Sequence, residues 1–172
     1  MFQIEQWSKE RVHNVTMELL YSFNYMWFLA EEWIKKNCPE DVAREGMLHL
    51  TDEFGAYEAR RLEKTVPKDI EGIDRLIRFL EHSHWCAFED IQITKLSDTS
   101  MRMSTVNCTS QLAAKKWGME YYDCGTVALR LRTAFFKRIN PAARVTPILT
   151  PPDKAADDFP SQTACAWLIT IE

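Results

Sequence analysis

The amino-acid sequence predicts an α+β fold, in which an N-terminal layer of three helices packs on a mostly antiparallel four-stranded sheet with two inserted helices. Two observations lead to this prediction. In the first half of the chain, apolar residues recur every three or four positions, as they do along one face of an amphipathic helix. After about residue 85 the pattern changes to short segments rich in Ile, Thr, Val and Met, which is typical of strands.

No internal repeat and no shift in composition marks a second domain. We therefore predict a single domain over residues 1–172, with a helical layer over 1–84 and the sheet with its two helices over 85–172. A chain of this length buries enough surface to fold without disulfides or metals.

Three helices are predicted in the first half. The longest covers about 7–36, and its apolar residues recur with alternating gaps of three and four: Val12, Val15, Leu19, Phe23, Met26, Ala30 and Trp33. Such a stripe is compatible with an intramolecular core or with a self-association seam. The second helix is predicted over about 39–64 and the third from Pro67, because proline suits the first turn of a helix.

The second half is predicted to hold four strands and two helices. The strands cover about 85–96, 100–107, 143–149 and 163–171, and the helices cover about 108–117 and 124–139. Asn107 and Asp123 are the predicted N-caps of the two helices, and Gly118 is the predicted stop of the first. Pro147 requires an edge strand or a bulge. Residues 150–160 form a loop rich in Pro and Asp.

The charge of the chain is unevenly distributed. Residues 1–100 hold 12 Lys+Arg against 19 Asp+Glu, whereas residues 101–150 hold eight against two. A short basic stretch in an acidic chain disfavours nucleic-acid binding and favours a small anionic ligand. The alternative is that the basic half docks on the acidic half of the same chain.

The predicted location is the cytoplasm. No apolar run reaches the ~20 residues that span a membrane, and the N-terminus lacks the apolar segment of a secretory signal. No membrane partner is therefore expected, and the five cysteines are expected to be reduced.

Three cysteines are the best candidates for chemistry. Cys108 and Cys124 fall in the first turns of predicted helices, where exposed amides and the helix dipole favour a thiolate. We therefore predict Cys108 or Cys124 as a nucleophile, with Asp123 as a catalytic neighbour of Cys124. Together with Cys165, on the inward face of the last strand, these thiols are also candidate ligands of a zinc or iron ion. The alternative is that all three are small buried apolar residues.

The candidate substrate contacts are distributed over the whole chain. Asn24 lies among aromatic residues on the first helix, and the predicted contacts are Asn24, Trp27, Phe28, Arg60, Arg130 and Trp167. An arginine fork suits a carboxylate, which makes Arg130 or Arg60 its expected partner. The alternatives are a core cluster for the aromatic residues and a solvated surface for the arginines. His82 and His84 are expected in capping or surface roles.

Several motifs resemble those of an uncharacterised domain-of-unknown-function family of small cytosolic proteins. They are Asn24-Tyr25-Met26-Trp27-Phe28, Glu58-Ala59-Arg60-Arg61-Leu62, Cys108, Gln111, Gly118, Cys124 and Cys165-Ala166-Trp167. The first motif of that family reads Asp-Gly-x-Trp-Phe, from which Asn24 and Tyr25 depart. More loosely, the cysteines that end in Cys-x-aromatic are similar to the L-2-amino-thiazoline-4-carboxylic acid hydrolase family. That resemblance implies a hydrolase that opens a sulfur-containing heterocycle carrying a carboxylate.

Taken together, the sequence favours a small-molecule enzyme, a hydrolase with a cysteine-centred site for a carboxylate-bearing substrate. The alternative is a non-catalytic module that binds a hydrophobic or metal-containing ligand. The apolar stripe of the first helix adds the expectation of a homodimer.

Overall fold

The computed structural model describes residues 6–116, 118–153, 159–160 and 162–172. The chain forms two compact units, of which the first ends at Gly46 and the second begins at Met47. Helices precede a four-stranded antiparallel sheet, and two further helices are inserted between its strands. The predicted α+β class is therefore confirmed, while the single domain stays a prediction.

Four helices precede the sheet in the described part of the chain: α1 (Lys9–Asn37), α2 (Glu40–Leu62), α3 (Gly72–Glu81) and α4 (His84–Phe88). The Ser8 side chain accepts a hydrogen bond from the Arg11 amide and so caps α1. Helix α4 occupies the start of the predicted strand 85–96, and the first strand begins only at Asp90. That prediction was wrong because a distant carboxylate, Glu58, binds the His84 amide and holds the turn in place.

Helix α1 has two different faces. The predicted apolar stripe points largely to solvent, with Leu19 66% exposed, Met26 59% and Trp33 63%. The opposite face is the less exposed one, and its most buried residue is Glu31, which pairs with Lys35. The periodicity therefore predicted the helix correctly, and the interpretation of its stripe as an intramolecular core was wrong.

The sheet has the strand order β1-β2-β4-β3, with β1 (Asp90–Ser97), β2 (Ser100–Val106), β3 (Ala143–Leu149) and β4 (Thr163–Ile171). The two central strands, β2 and β4, bury most of their residues. Strand β3 lies at an edge, and its register shifts between Pro147 and Leu149. Pro147 thus lies in an edge strand beside a bulge, as predicted.

The core of the second unit lies on one face of this sheet. Its largest fully buried side chains are Trp167, Phe79, Phe135, Phe136, Ile73, Leu76, Leu80, Met101, Met103 and Ile169. They come from α3, β2, β4 and α6 (Gly125–Ile139); α3 contacts β2 and β4, and α6 contacts β3. Each such side chain stabilises the fold by about 1.5–3 kcal/mol through burial.

The N-terminal ends of the two inserted helices differ from the prediction. Asn107 does not cap α5 (Thr109–Lys116), because its backbone turns to φ +54° and its amide donates to the Gln162 carbonyl. Asp123 is exposed, and the N-cap of α6 is Cys124, without a side-chain cap bond. Gly118 follows α5 with φ +78°, as a C-terminal glycine should.

Two further predictions fall partly outside the described residues. They concern the end of the helix 108–117 at position 117 and the middle of the loop 150–160 at positions 154–158.

Candidate functional site

Cys108, Cys124 and Cys165, which we call the cysteine cluster, come from three separate elements of the second unit. Cys108 directly precedes α5, Cys124 precedes α6, and Cys165 is buried in β4. Negative charge on Cys165 acts on both Cys108 and Cys124, and charge on Cys124 acts on Cys108. The fold therefore brings the three thiols into one neighbourhood.

Two thiols of this cluster, those of Cys108 and Cys124, are held in the protonated form. Burial, followed by the charge of Glu89, raises the pKa of Cys108 to about 12. The hydrogen bond from the backbone amide of Gln111 to the sulfur lowers this pKa only in part. Burial and then Cys165 raise the pKa of Cys124 to about 11. The prediction that a helix start would make these thiols more acidic was wrong, because desolvation exceeds the effect of the helix end.

No group of three His, Cys, Asp or Glu side chains in the described ranges has an arrangement that would hold a metal ion. The geometry therefore gives no support to Cys108, Cys124 and Cys165 as ligands of zinc or iron. Such a site would also need the thiols as thiolates.

Glu89 joins the cluster to the start of α5. Its carboxylate accepts a hydrogen bond of 2.6 Å from the Thr109 hydroxyl and one of 2.9 Å from the Thr109 amide. The Cys108 sulfur lies 3.9 Å from the same carboxylate. Burial raises the pKa of Glu89, and the two bonds from Thr109 oppose the shift. The partly buried carboxylate of Glu89 therefore caps the start of α5.

Gln111 fixes the segment that leads to Cys124. Its amide nitrogen donates to the Tyr122 carbonyl at 2.7 Å, and its amide oxygen accepts from the Tyr122 amide at 3.0 Å. The same nitrogen lies 3.8 Å from the Cys124 sulfur. The Gln111 side chain therefore pairs with both backbone groups of Tyr122, as a neighbouring strand would, and so positions Cys124, the N-cap of α6.

Arg132 is the buried cation of the site. It is 5% exposed, and its guanidinium lies 4.8 Å from the Trp167 ring and 5.2 Å from the Trp85 ring. One terminal nitrogen donates to the Ala128 carbonyl at 3.3 Å, whereas Nε has no hydrogen-bond partner among the described residues. Its charge acts on Cys124 and on Glu89, so the cation lies beside the cysteine cluster.

Glu58 and His84 form a half-buried pair next to this group. The His84 Nδ1 lies 2.7 Å from one oxygen of Glu58 and 2.8 Å from the other, and the His84 amide donates to the same carboxylate at 2.8 Å. The charge of His84 also acts on Glu89. The expectation of a capping or surface role was therefore wrong for His84, whereas His82 does cap α3.

The other predicted site residues lie in different surroundings. Arg130 is exposed and paired with Asp52, and Arg60 is exposed over the ring of Tyr57. The role of either arginine as the carboxylate partner stays a prediction. Asp123 is exposed as well, away from the role of a helix cap.

Trp167 does line the site, because its ring faces Arg132 and its indole N–H donates to the Cys165 sulfur at 3.2 Å. The predicted contacts Asn24, Trp27 and Phe28 are half-buried on α1, which belongs to the first unit. Their role in binding stays a prediction.

Sequence reasoning missed Glu89, and on α6 it chose Arg130 as a substrate contact and not the buried Arg132. A signal for Arg132 was present, since Ala128, Arg132 and Phe135 follow each other at the spacing of four and three that marks one helix face. No local pattern marks Glu89, whose partners lie about 20 residues further along the chain.

The comparisons with known proteins establish the family. The chain belongs to a family of unknown function (DUF6125), whose model matches residues 9–171. The predicted membership in an uncharacterised family is therefore confirmed. No curated protein matches the chain, and the looser resemblance to the thiazoline hydrolases stays a prediction.

Proposed function

We propose that this member of the family binds a small carboxylate-bearing molecule at Arg132, between the rings of Trp85 and Trp167 and next to Cys124. The observation that carries the proposal is the buried guanidinium whose Nε has no partner within the described chain. Arginine stays charged in proteins, so the charge cannot be relieved by losing a proton.

The energetics favour an anion at this position. A buried charge without a counter-ion costs several kcal/mol, and cation–π contacts with two indoles return about 2 kcal/mol or more when desolvated. Glu89 acts on Arg132 from a distance, but its carboxylate is engaged by the hydroxyl and the amide of Thr109. A ligand carboxylate would supply the missing charge and accept from the Nε–H in the same step.

The surroundings favour a single negative charge over a phosphate dianion. Arg132 is the one cation among the fully buried residues of the described chain. The neighbouring Cys108 and Cys124 are protonated at neutral pH and offer weak S–H donors, not positive charge. One guanidinium with neutral donors matches a monocarboxylate.

The test compares small carboxylates with their neutral amides in thermal-shift and calorimetric titrations. The probes are thiazolidine-4-carboxylate, L-cysteine, nicotinate and pyruvate, each with its amide. We expect one or more carboxylates to stabilise the wild-type protein and to have no effect on Arg132→Met, while Arg130→Met responds like the wild type. Equal stabilisation by acid and amide, or binding that survives in Arg132→Met, would rule the proposal out.

A second candidate function is hydrolysis of the bound molecule, and the Glu58–His84 pair favours it. The carboxylate of Glu58 lies 2.7 Å from Nδ1 of His84 and orients the imidazole ring. For a thiazoline carboxylate, His84 would take a proton from water as the oxygen adds to the ring carbon between nitrogen and sulfur, and would pass that proton to the ring nitrogen. The carbon–sulfur bond then breaks as the carbonyl forms, and the second proton of the added water passes to the departing sulfur, which leaves as a thiol.

This candidate is tested by following release of a free thiol from 2-amino-thiazoline-4-carboxylate. We expect turnover to fall at least tenfold in His84→Asn and in Glu58→Gln. His82→Asn is the matched control, because the His82 side chain is exposed and, in the described structure, bonds only the Thr65 hydroxyl. Absence of turnover in the wild type, with binding retained, would leave the protein as a binding module.

We also propose that the protein acts in the cytoplasm without a nucleic-acid partner. All five cysteines are free, as a reducing compartment would leave them. No helix among the described residues is long and apolar enough to cross a membrane. Fractionation of cells that express the tagged chain, with and without nuclease, tests both statements.

A further inference from the structure

We propose that α1 is an antiparallel dimerisation helix, whose outward stripe pairs with the same stripe of a second copy of this chain. The stripe consists of Val15, Leu19, Ser22, Met26, Leu29 and Trp33, which we call the α1 seam. All six are exposed. The inference rests on α1 alone and is independent of the site at Arg132.

The spacing of the α1 seam is that of a coiled coil. Its residues follow one another at four, three, four, three and four positions, which is the heptad spacing of a two-helix seam. Over these residues the helix advances about 27 Å, at 1.5 Å per residue. The seam is therefore long enough for several layers of interlocking side chains.

The exposed area is close to what a dimer needs. Apolar seam residues are from 38% to 66% exposed, and Phe23 and Tyr25 beside the seam are 40% and 57% exposed. Together these side chains present roughly 700 Å² of surface, compared with ~800 Å² per partner in a standard interface. A monomer rarely leaves an apolar patch of this size uncovered.

The charges beside the seam favour an antiparallel pair. In one antiparallel register Leu19 of one copy faces Ser22 of the other, Val15 faces Met26, and Leu29 faces Val12 just before the seam. Arg11 of each copy then comes next to Glu32 of the other, once on either side of the two-fold axis. Both side chains are exposed. In a parallel pair the same positions face Thr16 and Asn37, which carry no charge. Only the antiparallel arrangement joins opposite charges.

The charge of α1 disfavours a membrane surface as the occupant. The helix carries four basic and four acidic side chains: Lys9, Arg11, Lys35 and Lys36 against Glu10, Glu18, Glu31 and Glu32. Helices that lie on anionic lipid have a polar face rich in Lys and Arg. A surface of mixed charge fits a second copy of itself better.

The first experiment measures the mass of the full chain by sedimentation velocity across micromolar concentrations. We expect a dimer for the wild type and a monomer for Leu19→Glu and for Met26→Glu. Tyr21→Glu is the control, because Tyr21 is a 46% exposed apolar residue of α1 outside the seam. Far-UV circular dichroism checks that the variants stay helical, since an unfolded variant would not count as a monomer.

The second experiment tests the orientation. Arg11→Glu and Glu32→Arg should each weaken the dimer about tenfold, because each reverses both ion pairs, and the double exchange should restore it to within about threefold. A strictly monomeric wild type, or a mass unaffected by the seam variants, would overturn the dimer. Loss without rescue in the double variant would overturn the antiparallel arrangement, and binding to anionic vesicles by the monomer would assign the seam to a membrane instead.

Discussion

Arg130 and Arg132 lie two residues apart on α6 and have opposite surroundings. Arg130 is exposed and paired with Asp52 at the surface, whereas Arg132 is buried between two indole rings. Residues two positions apart on a helix point about 200° away from each other around the axis, so Arg130 and Arg132 cannot share a face. The difference between a surface ion pair and a buried anion receptor therefore follows from helical geometry.

This contrast predicts how the two arginines affect stability. Arg132→Met should leave the free energy of unfolding unchanged or raise it by up to ~2 kcal/mol, because an apolar side chain of similar volume replaces a buried charge that lacks a counter-ion. Arg130→Met should lower it by about 0–1 kcal/mol, as loss of an exposed ion pair does. Urea denaturation monitored by Trp fluorescence measures both.

The result separates a ligand residue from a structural one. If Arg132 mainly supported the fold, Arg132→Met would lose well over 2 kcal/mol of stability. A stable variant that no longer responds to carboxylates would instead mark Arg132 as a binding residue.

Helix α2 contains two glycines whose neighbourhoods differ. A Cβ added at Gly55 would come within 2.5 Å of the Leu131 carbonyl oxygen of α6, whereas a Cβ at Gly46 would meet nothing within 4 Å. Gly55 thus permits the close approach of α2 and α6, and Gly46 has no such role.

We therefore expect opposite effects from the same substitution in this helix. Gly55→Ala should destabilise the protein by more than ~2 kcal/mol, because backbone atoms must move apart. Gly46→Ala should stabilise it by ~0.5–1 kcal/mol through helix propensity. Thermal denaturation followed by circular dichroism compares them, and a tolerated alanine at position 55 would show that the two helices can separate without cost.

The segment before α6 depends on a single side chain of α5. Gln111 bonds both backbone groups of Tyr122, so Gln111→Ala removes one hydrogen bond from each, while the Tyr122 carbonyl keeps the bond from the Cys124 amide. Losing these two bonds should cost about 1–3 kcal/mol. Hydrogen exchange at the Tyr122 amide should accelerate, while Leu112→Ala, an exposed neighbour on the same helix, should leave it unchanged. Unaltered protection in Gln111→Ala would contradict the positioning role.

Some elements were predictable because their determinants are local. Strands β3 and β4 have the predicted bounds, since alternation of apolar and other residues along one segment is sufficient to mark them. Helix α4 was missed because the group that holds its start, Glu58, lies 26 residues earlier. The predicted cap at Asn107 failed for the same reason, because the start of α5 is satisfied by Glu89 and not by the preceding side chain.

At the scale of the whole molecule, the sequence identified the three cysteines of the site but not their chemistry. Each of Cys108, Cys124 and Cys165 was chosen from its place at a helix start or on an inward strand face. Their proximity is a product of the fold, and so is their burial. Burial is the largest cause of the raised pKa of Cys108 and Cys124. Their position at a helix start therefore predicted the wrong direction of the shift.

This burial makes the stability of the protein depend on alkaline pH. The pKa of Cys108 is about 12 and that of Cys124 about 11 in the folded chain, above the ordinary value of 9.0. Between pH 9 and 11 the unfolded chain therefore releases protons that the folded chain keeps. The stabilisation is complete below about pH 9 and is lost as the pH rises towards the folded values.

We expect the free energy of unfolding to fall as the pH is raised from 8 to 10.5, by roughly 1.4 kcal/mol for each thiol per unit above its unfolded pKa. Other groups titrate in the same range, so the informative quantity is the difference between the wild type and Cys108→Ala/Cys124→Ala. The double variant should show a shallower slope than the wild type when the free energy of unfolding from urea denaturation is plotted against pH. An unchanged slope in the double variant would mean that the two thiols ionise as readily in the folded chain as in the unfolded one, and would return the cysteine cluster to the reactive role that the helix starts first suggested.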